Sequence, residues 1–221
     1  IRDFRPEVIF HAAAYKHVHL VEANPYSAIL NNVLSTLNVL EAAQKVGTDY
    51  FVLISSDKAV NPAGVMGATK RVCELLVTAF GKSESKHYVS VRFGNVLGSS
   101  GSLIPLLEKQ IDEGGPVTVT HQDMTRYFMT IPEAVSLVLK AATIAKPGEI
   151  NVLKMGDPVK ILDVAKAMIT LKGFKEEEIQ IVFTGLRPGE KLYEELYIKG
   201  DELLTEHPDI LTLPDGDADP D

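Results

Sequence analysis

Ile54-Ser55-Ser56-Asp57-Lys58-Ala59-Val60-Asn61-Pro62, followed by Val65-Met66-Gly67-Ala68-Thr69-Lys70-Arg71, is the stretch that decides the fold. The apolar run 50–54 predicts a strand. It delivers a hydroxyl, a carboxylate and an ammonium at consecutive positions, Ser56, Asp57 and Lys58. Asn61-Pro62 and Gly64 supply a turn, and a helix is predicted from about Met66. Met66 and Lys70 lie one helical turn apart and so share a face. Polar groups past the carboxyl end of a parallel strand are where open α/β sheets place their sites. The plain alternative is a strand-loop-helix joint with solvated charges.

Outward from this stretch the pattern is βαβαβ. Residues 7–12 read as a short, buried parallel strand. Ala12, Ala13 and Ala14 at its end leave room for something flat against the backbone, or for close packing of the next helix. Asn24-Pro25 starts a helix, with Asn24 as cap and Pro25 at the first helical position, and Gly47 ends it. Residues 88–93 form another strand. Parallel pairing with right-handed crossovers follows, giving an α/β, Rossmann-like doubly wound parallel sheet. No glycine-rich turn joins a strand to a helix, so the first βαβ units of such a sheet are expected to be missing from a chain cut out of a longer protein. After Phe93 the segments shorten. Helices are predicted over 104–111, from 132, over 159–171 and over 190–197; strands over 116–120, 150–153 and 179–183.

The 221 residues are 45% hydrophobic, enough for a substantial core. A formal net charge of -8 excludes a general nucleic-acid binder but not a local basic pocket. The single Cys73 forms no internal disulfide, which fits a reducing, cytoplasmic setting. No apolar run approaches the ~20 residues a membrane span needs, and no signal peptide is visible. His11, His17 and His19 have no carboxylate or cysteine partner at convincing spacing, so no metal site is expected.

Five segments carry a resemblance in one order: His11-Ala12-Ala13-Ala14-Tyr15-Lys16-His17-Val18, the stretch quoted first, Val91-Arg92-Phe93-Gly94-Asn95-Val96-Leu97-Gly98-Ser99, Thr125-Arg126-Tyr127-Phe128-Met129-Thr130, and Gly185-Leu186-Arg187-Pro188-Gly189-Glu190-Lys191-Leu192. Together they resemble the CapD-like nucleotide-sugar 4,6-dehydratases of polysaccharide biosynthesis, within the extended short-chain dehydrogenase/reductase superfamily. The likeness spans the chain to about residue 198.

The resemblance implies residues 1–98 as the later part of a dinucleotide-binding domain. It implies 99–200 as a small C-terminal substrate-binding subdomain interleaved with the sheet near 150–155, and 201–221 reads as a mobile acidic tail. It implies NAD or NADP against Ala12, Ala13, Ala14, Tyr15 and Lys70, in a site left incomplete, and a chain inactive alone, where the first βαβ units are missing. A UDP-sugar would be held by Lys16, Asn95, Arg126, Arg187 and Glu190. The catalytic set would be Ser56, Asp57, Lys58, Met66 and Lys70. Met66 stands where the superfamily uses Tyr. A thioether is neither acid nor base, so this marks either the CapD-like branch or an inactive chain. The implied reaction takes UDP-N-acetylglucosamine to a 4-keto-6-deoxy sugar. Asp57 would serve as acid to the C6 oxygen, Lys58 as base at C5 and Ser56 as partner of the C4 oxygen. Arg92 is left open between ligand and strut, and Asn32 is implied to brace the neighbouring strand. Other readings are a UDP-sugar 4-epimerase, which needs no elimination pair, and a non-catalytic UDP-sugar-binding fragment. A homo-oligomer is expected, and a parent protein on the cytoplasmic face of the inner membrane. Ser56, His19, Gln122 and Lys154 depart from the family's usual Thr, Pro, Pro and Asp.

Overall fold

The computed structural model describes residues 1–84, 86–99 and 101–213. The chain opens with β1 (Val8–His11), α1 (Val18–Ala23) and α2 (Pro25–Ala28). It widens into π turns over Ile29–Leu34, then runs through α3 (Ser35–Val46) to β2 (Tyr50–Ile54). Pro25 sits at the first position of α2, while the Asn24 side chain donates back to the Leu20 carbonyl and does not cap. Gly47 ends α3 in the left-handed region at φ 80°, a conformation free of steric cost only for glycine. A single 3-10 turn, Asp57–Ala59, leads to α4 (Val65–Glu84) and β3 (His87–Arg92).

The second half is built of shorter pieces. They are β4 (Asn95–Val96), α5 (Leu103–Asp112), β5 (Val117–Val119), β6 (Thr125–Arg126), β7 (Phe128–Met129) and α6 (Ile131–Ile144). Then come β8 (Ile150–Leu153), β9 (Val159–Lys160), α7 (Ile161–Leu171), β10 (Ile181–Phe183), β11 (Leu203–Leu204) and β12 (Ile210–Leu213). Thr130 and Glu133 close a reciprocal capping box at the start of α6. The main sheet has the order β1-β2-β3-β8-β12-β11. Its first four strands are parallel, and β12 and β11 are antiparallel. Small two-stranded sheets join β5 to β10, β4 to β7 and β6 to β9.

Alternation along the central strands divides the core. Phe51, Leu53 and Tyr88 pack with Leu40, Ala43, Cys73 and Val77 of α3 and α4. Val52, Val89 and Val91 pack with Ala134, Leu137, Val138 and Ala141 of α6. Helices therefore cover both faces, as a parallel sheet requires. A third cluster joins α5, β5 and α7 through Leu107, Ile111, Val117, Ala165 and Ile169.

Three expectations need correction. β1 is not buried: Val8 and Phe10 are 44% and 46% exposed, because β1 is the edge strand with β2 as its sheet partner among the described residues. Residues 190–197 are not a helix. The carbonyls an i→i+4 ladder would use are taken by arginines: Arg126 donates to Lys191 and Leu192, and Arg92 to Leu196. Residues 201–213 are not a loose tail. Ile210, Leu211 and Leu213 are buried where β12 pairs with β8. The expected mobility beyond 213 lies outside the described residues.

One buried charge pair ties these elements together. Arg92 is 0% exposed and donates to Glu74 through Nε at 3.0 Å and Nη2 at 2.7 Å. The same carboxylate accepts from Ser55 Oγ at 2.6 Å. α4, β3 and the end of β2 thus meet at one carboxylate, and the 190–197 segment joins them through the Leu196 carbonyl on Arg92. At the start of α4, a Cβ on Gly67 would sit 2.2 Å from the Lys58 carbonyl oxygen, so only glycine lets the helix start pass that close.

Removing one partner of a buried pair leaves an unanswered charge, which typically costs about 3–5 kcal/mol, whereas replacing both with apolar residues is often near neutral. Glu74→Gln is expected to lower the unfolding free energy in urea by a few kcal/mol, about 3 or more on that scale. The Glu74→Leu/Arg92→Met double variant should recover most of the loss. Gly67→Ala should cost about 1–3 kcal/mol by overpacking, read from the shift of the same urea midpoint.

Candidate active site

The polar segment after β2 lies across the ends of two strands. Ser55 N–H donates to the Val91 carbonyl and Asp57 N–H to that of Phe93. Ser56 is extended, and its Oγ accepts the Lys58 N–H at 3.3 Å, which opens the 3-10 turn. Ser56 Oγ donates to Asp57 Oδ1 at 2.8 Å, and Lys58 Nζ donates to the same oxygen at 3.0 Å. Asp57 Oδ2 is buried and finds no hydrogen-bond partner among the described residues. Gly94 makes room beside it, since a Cβ there would lie 3.3 Å from this oxygen and 3.0 Å from Tyr127 Cβ.

Lys70, one turn along α4 from Met66, donates to the Ile54 carbonyl at 2.8 Å. Burial pushes its ammonium below the usual lysine range, with Cys73 and Glu74 opposing. Asn32 binds the alanine segment to this helix. Its Oδ1 accepts the Tyr15 N–H at 2.7 Å, and its Nδ2 donates to the Tyr15 carbonyl at 3.2 Å and to Thr69 Oγ1 at 3.0 Å. Met66 is buried against Val21 and Ala28.

Ala12, Ala14, Lys16, Ser56, Lys58, Met66, Lys70 and Asn95 line one cleft of ≈ 370 Å³. Lys58 and Asn95 also line a second pocket, of ≈ 230 Å³, with Arg126, Arg187, Glu190 and Glu194. Lys58 and Asn95, with Leu103, therefore lie between a slot floored by alanines and a pocket lined by arginines. Thr118, Thr120 and Thr184 complete the polar wall of the second pocket.

Some residues stand elsewhere than expected. Asp57 is 0% exposed and lines neither cavity, so it cannot touch a sugar directly; Ser56 and Lys58 cover it. Ala13 is not among the cleft residues, and Tyr15 faces a separate groove with Lys16 and His17. Arg126 reaches the second pocket, yet its guanidinium donates to the carbonyls of Thr125, Lys191 and Leu192. It shapes the pocket wall as well as charging it. Glu190 Oε2 accepts the Arg187 N–H at 3.2 Å and closes that turn. Arg92 is a strut, committed to Glu74 and the Leu196 carbonyl. His11 is paired with Thr36 Oγ1, and no group of three or more potential ligands is arranged for a metal among the described residues.

Sequence reasoning missed Glu194. It is 7% exposed, and its Oε1 lies 3.6 Å from Lys58 Nζ and 3.6 Å from Arg126 Nη2. Burial raises its carboxyl above the usual range and Asp57 adds to that; Lys58, Arg126 and Lys191 pull the other way. The available signal was the Tyr-Glu-Glu-Leu run, an acidic pair enclosed by apolar residues. Lys191 was also missed: it anchors the segment by donating to the Val60 carbonyl at 2.9 Å.

Comparison with known proteins agrees with this frame. The capsular polysaccharide biosynthesis protein CapD of Staphylococcus aureus is 58% identical over 202 residues, covering 91% of this chain and 34% of CapD. The chain thus spans about a third of the length of that curated relative. The X-ray structure of Pen from Bacillus thuringiensis matches with a TM-score of 0.87 at 41% identity, over 94% of this chain and 66% of Pen. A Thermus thermophilus UDP-glucose 4-epimerase in complex with NAD shares the fold, at 20% identity and a TM-score of 0.76, over 86% of this chain and 68% of that one. Among the described residues no helix is long and apolar enough to cross a membrane. A family model described as polysaccharide biosynthesis protein matches residues 1–214. The chain belongs to that polysaccharide biosynthesis protein family.

Proposed function

We propose that this chain carries the elimination centre and sugar-nucleotide pocket of a nicotinamide-dependent 4,6-dehydratase acting on UDP-N-acetylglucosamine or a close relative. The observation that carries the reading is Lys58. Its ammonium, hydrogen-bonded to Asp57, faces both the alanine-floored slot and the arginine-lined pocket. One cavity suits a flat ring and ribose, the other a diphosphate, and the reactive group stands between them.

The residues present fit a nicotinamide ribose. Ala12 and Ala14 keep the slot free of bulk, and Lys70 is pinned at the end of β2 by the Ile54 carbonyl, within the same cleft. NAD or NADP, when bound there, supplies the hydride acceptor and donor that makes the C4 carbinol a ketone and later reduces C6. The T. thermophilus structure named above, with its NAD, supports a nicotinamide partner for this fold.

The chain's own residues handle protons. A ketone at C4 acidifies the hydrogen on C5. Lys58, as neutral amine, takes that proton while the C5 electron pair expels the C6 oxygen. Asp57 serves as the acid through Ser56: the carboxyl proton passes to Ser56 Oγ, 2.8 Å away, and the Ser56 proton passes to the departing oxygen. The working form and the ion pair seen here differ by one proton moved along the 3.0 Å Lys58–Asp57 hydrogen bond. The C4 hydroxyl proton, taken by Lys70 through a water as the ketone forms, returns through solvent to restore the Lys58–Asp57 pair; once C6 is reduced, Lys58 gives its proton back to C5, and one water has been lost. Arg187 and Arg126 supply charge for the diphosphate, because guanidinium forks match phosphate oxygens. Asn95, on the shared wall, suits the sugar or first phosphate.

The test is mass spectrometry of UDP-N-acetylglucosamine incubated with NAD or NADP and a longer form of the protein that restores the glycine-rich first βαβ units. Loss of one water is expected. Lys58→Met should slow it by about 10²–10⁴-fold, the usual worth of a general base. Conversion to the 4-epimer at unchanged mass would favour the epimerase reading, and binding without conversion the non-catalytic one.

A further inference from the structure

Glu194 stands outside the chemistry described so far. Four groups face it. Lys58 and Asp57 do so from the 3-10 turn, Arg126 from β6, and Lys191 from its own segment. Lys191 is already committed to the Val60 carbonyl and lies 3.7 Å from Glu195. That leaves Glu194 Oε1 equidistant from the reactive amine and the pocket guanidinium, at 3.6 Å from each. Its other oxygen, Oε2, is buried without a partner among the described residues. A buried carboxylate is tolerated only while cations answer it.

Resting on the nucleotide-sugar reading above, we infer that Glu194 is a positioning residue. One buried carboxylate holds the Lys58 ammonium and the Arg126 guanidinium together, so a diphosphate arriving at Arg126 is felt at Lys58.

The coupling has a definite sign. With the pocket empty of anion, the Arg126 charge favours ionised Glu194. A diphosphate brings negative charge against that guanidinium, and the ionised carboxylate becomes less favourable. Glu194 then takes up a proton. Protonation releases its hold on the Lys58 ammonium and leaves Asp57 as the amine's single carboxylate partner. The pair is thereby set for the proton exchange along the Lys58–Asp57 hydrogen bond only when substrate is present. Burial already raises the Glu194 carboxyl, and the arriving anion raises it further. By linkage, affinity for the diphosphate then rises as pH falls between the free and bound values, by no more than about tenfold per pH unit for one proton.

The experiment is calorimetric titration of the chain with UDP-N-acetylglucosamine, whose diphosphate diester does not titrate near neutrality. It is run from mildly acidic to mildly alkaline pH in two buffers of different ionisation enthalpy. The wild-type chain is expected to take up a fraction of a proton on binding. Glu194→Gln should take up none, bind at least as tightly as wild type at the alkaline end and lose the pH dependence. Glu194→Asp, which keeps a carboxylate, should retain uptake at a shifted pH. Equal uptake by wild type and Glu194→Gln would overturn the inference. So would wild-type binding with no uptake, which would leave the nucleotide-sugar reading standing. No binding by wild type would overturn both. If Glu194→Gln fails to fold, a folded Glu194→Asp without uptake overturns the inference as well.

Discussion

A guanidinium with no access to water must have its charge answered where it lies, and this requirement at Arg92 organises the protein. Glu74 meets it with two bonds from α4, and the Leu196 carbonyl meets it from a segment a hundred residues further on. Ser55, at the end of β2, is bonded to the same carboxylate. Such a pair adds little net stability compared with apolar packing. Its effect here is on geometry: it fixes where the strand ends, the helix and the 190–197 segment stand relative to one another.

The site inherits that geometry. Ser56, Lys58 and Lys70 are held at the strand end by hydrogen bonds to main chain or to Asp57. Glu194 reaches Lys58 because the segment carrying it is pinned at Leu196 by Arg92 and at Lys191 and Leu192 by Arg126. Lysine and carboxylates thus form one connected row from Ser56 to Arg126. The row runs from the slot floored by alanines to the pocket lined by arginines. Met66 packs into Val21 and Ala28. In the proposed reaction, proton handling falls to Lys58 and the carboxylates around it.

Much of this was legible in the residues. The run 50–54, the turn at Asn61-Pro62 and the Met66–Lys70 spacing describe a local strand-loop-helix unit, and local patterns survive folding. What failed depended on contacts distant in sequence. Asp57 reads as an exposed charge until the 3-10 turn tucks it under Ser56 and Lys58. Residues 190–197 have helical spacing, but arginines from β3 and β6 claim their carbonyls. Ile210-Leu211-Thr212-Leu213 is a short apolar run among acidic residues and prolines. Only the free edge of β8 makes it a core strand. Glu194 drew no notice within the helix expected over 190–197, and its place appears only when Lys58 and Arg126 are brought to it.

The central claim is that Lys58 exchanges a proton with C5 of a nucleotide-bound sugar. Nuclear magnetic resonance of UDP-N-acetylglucosamine after incubation in D₂O with NAD or NADP and a longer form of the protein carrying the glycine-rich first βαβ units tests it most directly. The account requires one solvent deuteron at C5 of a product that has lost the C6 hydroxyl. A converted sugar that keeps its C6 hydroxyl and carries no deuterium at C5 would contradict it.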